Sequence, residues 1–204
     1  MLNQGRFIDL LRHGETEGGT GFRGSLDDRL SETGWKQMWS AVGGNDARWD
    51  HIISSPLLRC ADFSEALAER HSISVETDER LKEMHFGEWE GRTAAQLMLT
   101  DANALSEFWQ NPLRYTPPQA EPLKDFQTRV LTAWDDIVAK HNNRKMLIVS
   151  HAGVMRVILS KILDHPVQRL LEIDVGHAAL KRFCIDPDDD SGDGVGCLVA
   201  DVVK

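Results

Sequence analysis

The sequence predicts an α/β fold, a three-layer α/β/α sandwich around a mostly parallel sheet. Short apolar runs alternate with stretches of helical period along the chain, as in sheets built from strand–helix units. Three of these runs, at 7–11, 51–54 and 145–150, end at turns that lead into loops or helices. With 204 residues, 41% hydrophobic and 27% charged, the composition is that of an ordinary globular chain, and we expect one domain over residues 1–204.

The first run leads directly into Arg12-His13-Gly14-Glu15-Thr16, and Gly18-Gly19-Thr20-Gly21 then makes a flexible loop. Ser31 has the chemistry of a helix N-cap, and the helix behind it runs through Trp35, Met38 and Trp39 until Gly43-Gly44 ends it. The strand over 51–54 precedes a helix over 56–70, in which Leu57, Cys60, Ala61, Leu67 and Ala68 fall near helical spacing. A short strand over 73–76 comes next. Residues 78–91 are irregular and charged, and two amphipathic stretches follow at 93–99 and 104–109. Segment 112–122 carries four prolines, which exclude a central strand or helix interior and predict a long loop. A strong helix over 124–141 places Phe126, Val130, Leu131, Trp134, Ile137 and Val138 on one face. The strand ending at Ser150, a helix over 154–163 and strands near 178–185 and 196–203 complete the series. The acidic run at 186–194 superficially resembles a calcium loop. Ser191 stands where the EF-hand spacing needs glycine and Cys197 where its closing glutamate belongs, so a solvated hairpin turn is expected.

Charge and cysteine content narrow the function. A net charge of −9 argues against a nucleic-acid surface, which is normally basic, yet leaves room for a local cation cluster around a small anion. Cys60, Cys184 and Cys197 are odd in number and without CxxC spacing, so neither a disulfide framework nor a zinc knuckle is expected. No run approaches the roughly 18 apolar residues of a membrane span. The chain starts without a signal-peptide pattern. A cytoplasmic protein without membrane or nucleic-acid partners is the expectation.

The chemistry gathers at the strand ends. In open α/β sheets, ligands bind in the crevice outside the carboxyl ends of the strands. Two strands deliver one histidine each there, His13 and His151, and Arg59 falls in the first turn of the helix after a third strand. A phosphomonoester carries nearly two negative charges, and Arg12 and Arg59 can each offer it a planar fork of donors. A neutral imidazole such as His13 can attack phosphorus and form a phosphohistidine. His151, if protonated, would stabilise equatorial charge, with Ala152 and the following helix N-terminus adding backbone donors. The leaving alkoxide needs a proton, and Glu83, Glu88 and Glu90 in Leu81-Lys82-Glu83-Met84-His85-Phe86-Gly87-Glu88-Trp89-Glu90-Gly91 are equal candidates for that acid. Trp109 and Tyr115, beside the proline-rich loop, could stack on a flat leaving group. His51, His71, His85, His141, His165 and His177 read as structural or solvated, with His85 the first exception because it flanks Glu83.

These residues resemble a known family. The segments RHGET, SSPLLR, LKEMHFGEWEG and SHAG look like the four signature islands of the histidine phosphatase superfamily, phosphoglycerate mutase-like branch, in family order from Arg12 to Gly153. The resemblance implies that His13 is the phosphorylated nucleophile, Arg12 and Arg59 bind phosphate, and His151 is the second pocket histidine. It also selects Glu83 as the proton donor and implies no metal or other cofactor. Many members carry an asparagine six residues after the nucleophile, where this chain has Gly19; Arg23 is the expected substitute donor. The stretch from Gly24 to Gly34 is similar to that of bacterial α-ribazole phosphatases, which implies α-ribazole 5′-phosphate as substrate and a place in cobalamin biosynthesis. The alternatives are a phosphoglycerate mutase, a broad-specificity sugar or nucleotide phosphatase, and a non-catalytic phosphate-binding module.

Overall fold

The structure is a computed structural model that describes residues 7–43, 49–141, 145–185 and 195–201. Strands β1 (Phe7–Arg12), β2 (His51–Ser54), β3 (Ser74–Thr77), β4 (Met146–Ser150), β5 (Leu180–Ile185) and β6 (Val195–Asp201) form one sheet in the order β3-β2-β4-β1-β5-β6. The first four in that order are parallel, and β5 and β6 add an antiparallel edge.

Alternation along each strand divides the core. Ile8, Leu10, Ile53, Met146 and Ile148 point to one face, which α5 (Leu123–Lys140) and α6 (Ala152–Ile162) cover. Leu11, Ile52, Leu147 and Val149 point to the other, under α1 (Glu32–Gly43) and α2 (Leu58–His71). Ser31 caps α1 by accepting from the Gly34 N–H at 3.0 Å. The amphipathic stretches at 93–99 and 104–109 are α3 (Ala94–Thr100), opened by a Thr93–Gln96 capping box, and α4 (Ala102–Gln110). Among the described residues, no helix is long and apolar enough to cross a membrane.

Several boundaries differ from the sequence expectation. The helix after β4 begins at Ala152, two residues early, because the strand ends straight into its first turn. Strand β3 runs one residue later than expected, in register with His51–Ser54. Segment 112–122 is a loop, as its prolines require. It docks on Gly87, whose φ of +58 and lack of a Cβ admit the Pro118 carbonyl, which also accepts from the Glu88 N–H at 3.0 Å. Asp9 is a buried charge in the centre of β1. Its carboxylate takes both Arg182 Nε and Nη2 at 2.8 Å and Trp49 Nε1 at 2.9 Å, which offsets its desolvation. The expected turn at 186–194 lies outside the described residues.

The register places the site. β1 and β4 pair so that Arg12 faces Ser150, which brings the next residues, His13 and His151, side by side at the carboxyl edge. Their rings stand 5.2 Å apart at 61°.

Candidate active site

A cavity of about 640 Å³ opens at that edge and is lined by Arg12, His13, Gly19, Arg23, Glu83 and Trp109, among others. Its size suits a small-molecule ligand. The expected nucleophile, one expected arginine, the expected acid, Arg23 and Trp109 thus share one space.

His13 is 6% exposed. Its Nδ1 lies 2.7 Å from the Gly14 carbonyl oxygen, an acceptor only, so Nδ1 carries the proton and Nε2 keeps its lone pair. Burial holds the ring's pKa well below the ordinary value of 6.5, and the charges of Arg59 and Arg12 push it the same way. The imidazole is therefore neutral and in one tautomer. Arg12 donates Nη1 to the Val175 carbonyl at 2.7 Å, while its buried Nε has no hydrogen-bond partner. Burial lowers the guanidinium to about 10, with Glu83 acting against the shift, so it remains charged at neutral pH.

Arg59 and His151 stand behind the cavity wall. Arg59 is fully buried and donates Nε to His151 Nδ1 at 3.2 Å, Nη1 to the Leu26 carbonyl at 2.6 Å and Nη2 to the Gly24 carbonyl at 2.9 Å. Because His151 Nδ1 accepts, its Nε2 carries the proton, and it lies 2.7 Å from Ser55 Oγ. Both His151 nitrogens are thus committed, Nδ1 to Arg59 and Nε2 to Ser55. Burial, then Arg59, holds its pKa well below 6.5. Arg59 likewise uses most of its donors on the loop that follows the first glycines. Cys60 packs against the same imidazole, and burial raises its thiol to about 12, which leaves it unreactive.

Among the three carboxylates of the 81–91 loop, geometry distinguishes one. Glu83 is 9% exposed and lines the cavity; its oxygens accept from the Met84 and Gly153 N–H groups, each at 2.9 Å. Glu90 instead staples the loop by accepting from Ser25, Leu26 and Phe86 N–H groups, and exposed Glu88 accepts from Gln119. A Cβ at Gly153 would meet Glu83 Oε1 and displace it, so the glycine leaves room for the carboxylate. The first turn of α6 therefore holds Glu83's own carboxylate. Ala152 opens that turn and is not among the residues lining the cavity.

Two of the expected residues lie at the periphery. Tyr115 is partly buried against the core, stacked on Trp89 at 5.9 Å and 25°, and of the aromatic pair Trp109 lines the cavity. Arg23 lines it but pairs its Nε with Asp28 at 3.1 Å, which restrains it as a substitute donor. Gly19 has φ +75 and open space around its Cβ position. His85 is exposed, with Nδ1 accepting from the Gly87 N–H.

The sequence reading missed Arg156 and His177, which also line the cavity. Arg156 lies three residues after Gly153, on the same face of α6, a spacing that could have drawn attention to it. It donates Nε to the Ile173 carbonyl at 2.9 Å, and burial lowers its pKa. The His177 ring stands 6.0 Å from that of His13, and nothing local in the sequence marks it.

The fold and site define a class: an α/β protein whose sheet edge holds an imidazole and several guanidiniums in a pocket shaped for a small anion. The family model described as histidine phosphatase superfamily (branch 1) matches residues 8–194, and the chain belongs to that superfamily. A glucosyl-3-phosphoglycerate phosphatase of Mycobacterium tuberculosis is 32% identical over 173 residues, 79% of this chain and 77% of that one. The structure of Bacillus stearothermophilus YhfR superimposes with a TM-score of 0.85 at 27% identity, covering 97% of this chain and 96% of the other. The α-ribazole phosphatase of Shigella flexneri has a TM-score of 0.79 over 95% of this chain and 96% of its own, and at 23% identity it shares the fold. The chain spans about half the length of the first curated relatives it matches, at 32% identity over 183 residues.

Proposed function

We propose that this protein is a phosphomonoester hydrolase that works through a phosphohistidine on His13 and needs no metal for the reaction. The observation that carries the reading is a neutral imidazole with a fixed tautomer beside Arg12, whose buried Nε lacks an acceptor. Three arginines, Arg12, Arg23 and Arg156, line a cavity in a chain of net charge −9, and a fourth, Arg59, stands behind it. That local excess of cations suits a dianionic phosphate and not a nucleic-acid surface.

In the first step the His13 Nε2 lone pair attacks phosphorus, the N–P bond forms and the P–O bond to the alcohol breaks. Protonated Glu83 gives its proton to the departing oxygen. Water then attacks the phosphohistidine and passes a proton to the Glu83 carboxylate. The N–P electron pair returns to Nε2, and inorganic phosphate leaves. Arg12 supplies charge-assisted donors to the phosphoryl oxygens. Arg59 and His151 act as positioning residues for the pocket wall.

The substrate proposed is a phosphomonoester with a bulky, partly apolar leaving group. Phe22, Phe86, Phe108 and Trp109 all line the cavity, and Trp109 is 49% exposed. That aromatic lining favours a flat base, as in α-ribazole 5′-phosphate. The M. tuberculosis relative's name favours glucosyl-3-phosphoglycerate, with Arg156 placed to meet a carboxylate. A location in the cytoplasm belongs to the same proposal, supported by the free thiols of Cys60 and Cys184.

Trapping acid-labile, base-stable phosphate on the protein during turnover tests the mechanism, and its absence from an active enzyme would overturn it. Steady-state turnover of the two named substrates and a glycerate phosphate then decides the leaving group. Isomerisation of the glycerate phosphate without phosphate release would make the protein a mutase.

A further inference from the structure

At the amino-terminal edge of the parallel strands, opposite the cavity, Glu76 meets His51 and His141, two histidines that the sequence reading left as structural or solvated. His51 opens β2 and faces Ser74 of β3, while Ile53 faces Glu76, so period-two alternation puts His51, Ser74 and Glu76 on one face of the sheet. That is the face α5 covers, and its C-cap residue is His141. The two imidazoles stack with centroids 5.0 Å apart at 25°. Each His Nε2 lies 3.4 Å from Glu76 Oε1. Each histidine side chain is 7% exposed, and both Nε2 atoms are buried without a hydrogen-bond partner.

Two orphaned ring nitrogens aimed at one carboxylate oxygen are an unusual way to leave polar groups in a folded protein. We propose that His51, Glu76 and His141 form a binding site for a zinc-class divalent transition-metal ion, separate from the phosphate pocket.

The metric detail supports this assignment. Ligands about 2.0–2.1 Å from a tetrahedral ion stand about 3.3 Å from one another, close to the observed 3.4 Å separations. One ligand atom from each of the three residues lies within 4.8 Å of the other two. His51 Nδ1 is 2.5 Å from Ser74 Oγ. A proton donated there leaves the lone pair on Nε2, the outer hydrogen bond that metal-binding histidines usually make. Lys140 Nζ lies 3.2 and 3.3 Å from the two Glu76 oxygens and is the competing cation. Its side chain is 63% exposed and can move off at little cost. Two histidines and one carboxylate leave the fourth position for water, on the side where Glu76 is 40% exposed. A bound ion would tie the end of α5 to β2 and β3 and has no part in phosphoryl transfer.

The test uses chelator-stripped full-length protein titrated with Co²⁺ alone and then Zn²⁺ alone. Wild type and His13→Ala should each take up one equivalent, with the visible absorption of a tetrahedral Co²⁺ centre that Zn²⁺ displaces. Ser74→Ala should weaken binding by roughly 10-fold, and His141→Ala and Glu76→Gln by more than the 10–100-fold typical of outer partners. Zn²⁺ should raise the melting temperature of wild type but not of Glu76→Gln. Because Glu76 is partly exposed, that variant folds without the buried void a histidine truncation leaves. Absence of stoichiometric binding, unaltered binding in Glu76→Gln, or loss of binding in His13→Ala alone would overturn the proposal.

Discussion

His13 and His151 follow paired strands in register, and both are buried, yet the structure uses them differently. His13 spends one nitrogen on the neighbouring Gly14 carbonyl and keeps the other for the cavity. His151 spends both, one on Arg59 and one on Ser55, and does not reach the cavity. A strand end delivers an imidazole to the site, and the partners around the ring decide between reaction and support.

The largest effect that could break this contrast is His13→Ala. Turnover should fall by on the order of 10⁵-fold or more, as when the nucleophile of a concerted set is removed, and no phosphoenzyme should form. A loss of only a few-fold would end the assignment. Glu83→Gln comes next. Alkyl phosphates should slow by about 10²–10⁴-fold, and aryl phosphates less in the phosphorylation step, since their leaving groups need little protonation. Gly153→Ala should mimic it, because the new methyl displaces the Glu83 carboxylate.

His151→Ala sharpens the contrast directly. Positioning through Arg59 predicts a loss of about 10²–10³-fold in kcat/KM with phosphoenzyme still trapped, whereas a loss equal to that of His13→Ala would give both rings the same role. Ser55→Ala should cost about 1–3 kcal/mol of stability by leaving a buried N–H unpaired, read by denaturant unfolding. Acid should act on both rings together. Their folded pKa values lie below the ordinary 6.5, so the unfolded chain binds protons first. Their contribution to stability is complete above about 6.5 and is lost as pH falls below it. Melting temperatures recorded from pH 8 to pH 5 should decline through that window, and a rise on acidification would contradict the buried neutral rings. The smallest effect is Gly19→Asn, expected to change KM for phosphate esters by a few-fold, since asparagine tolerates the left-handed backbone and open space surrounds the position.

Much of this was readable in the chain because it is local. Period-two runs with turn signals marked the strands, and the Phe126–Val130–Trp134–Ile137 stripe marked α5. Arg12-His13 and Ser150-His151 announced themselves as strand-end chemistry. Choosing Glu83 over Glu88 and Glu90 needed the family resemblance, because three acids in one loop look alike until one faces a cavity. Arg156 and His177 were missed because they arrive from a helix and a late loop that carry no motif. The reading of Tyr115 as a cavity residue failed for the converse reason. Neighbourhood in sequence suggested neighbourhood in space, and packing on Trp89 decided otherwise. His51, Glu76 and His141 are 25 and 65 residues apart, and no spacing rule connects them.

The sequence by itself determined the sheet-and-helix alternation, the edge at which the ligand pocket lies and the residue types available to it, because hydrophobic period and turn chemistry act over a few neighbours. Only the tertiary structure decided which nitrogen keeps a lone pair, which carboxylate faces the cavity and which arginine stands behind the wall. Those outcomes depend on hydrogen-bond partners and burial contributed by segments far apart in the chain, and an imidazole or a guanidinium has no fixed role until those partners surround it.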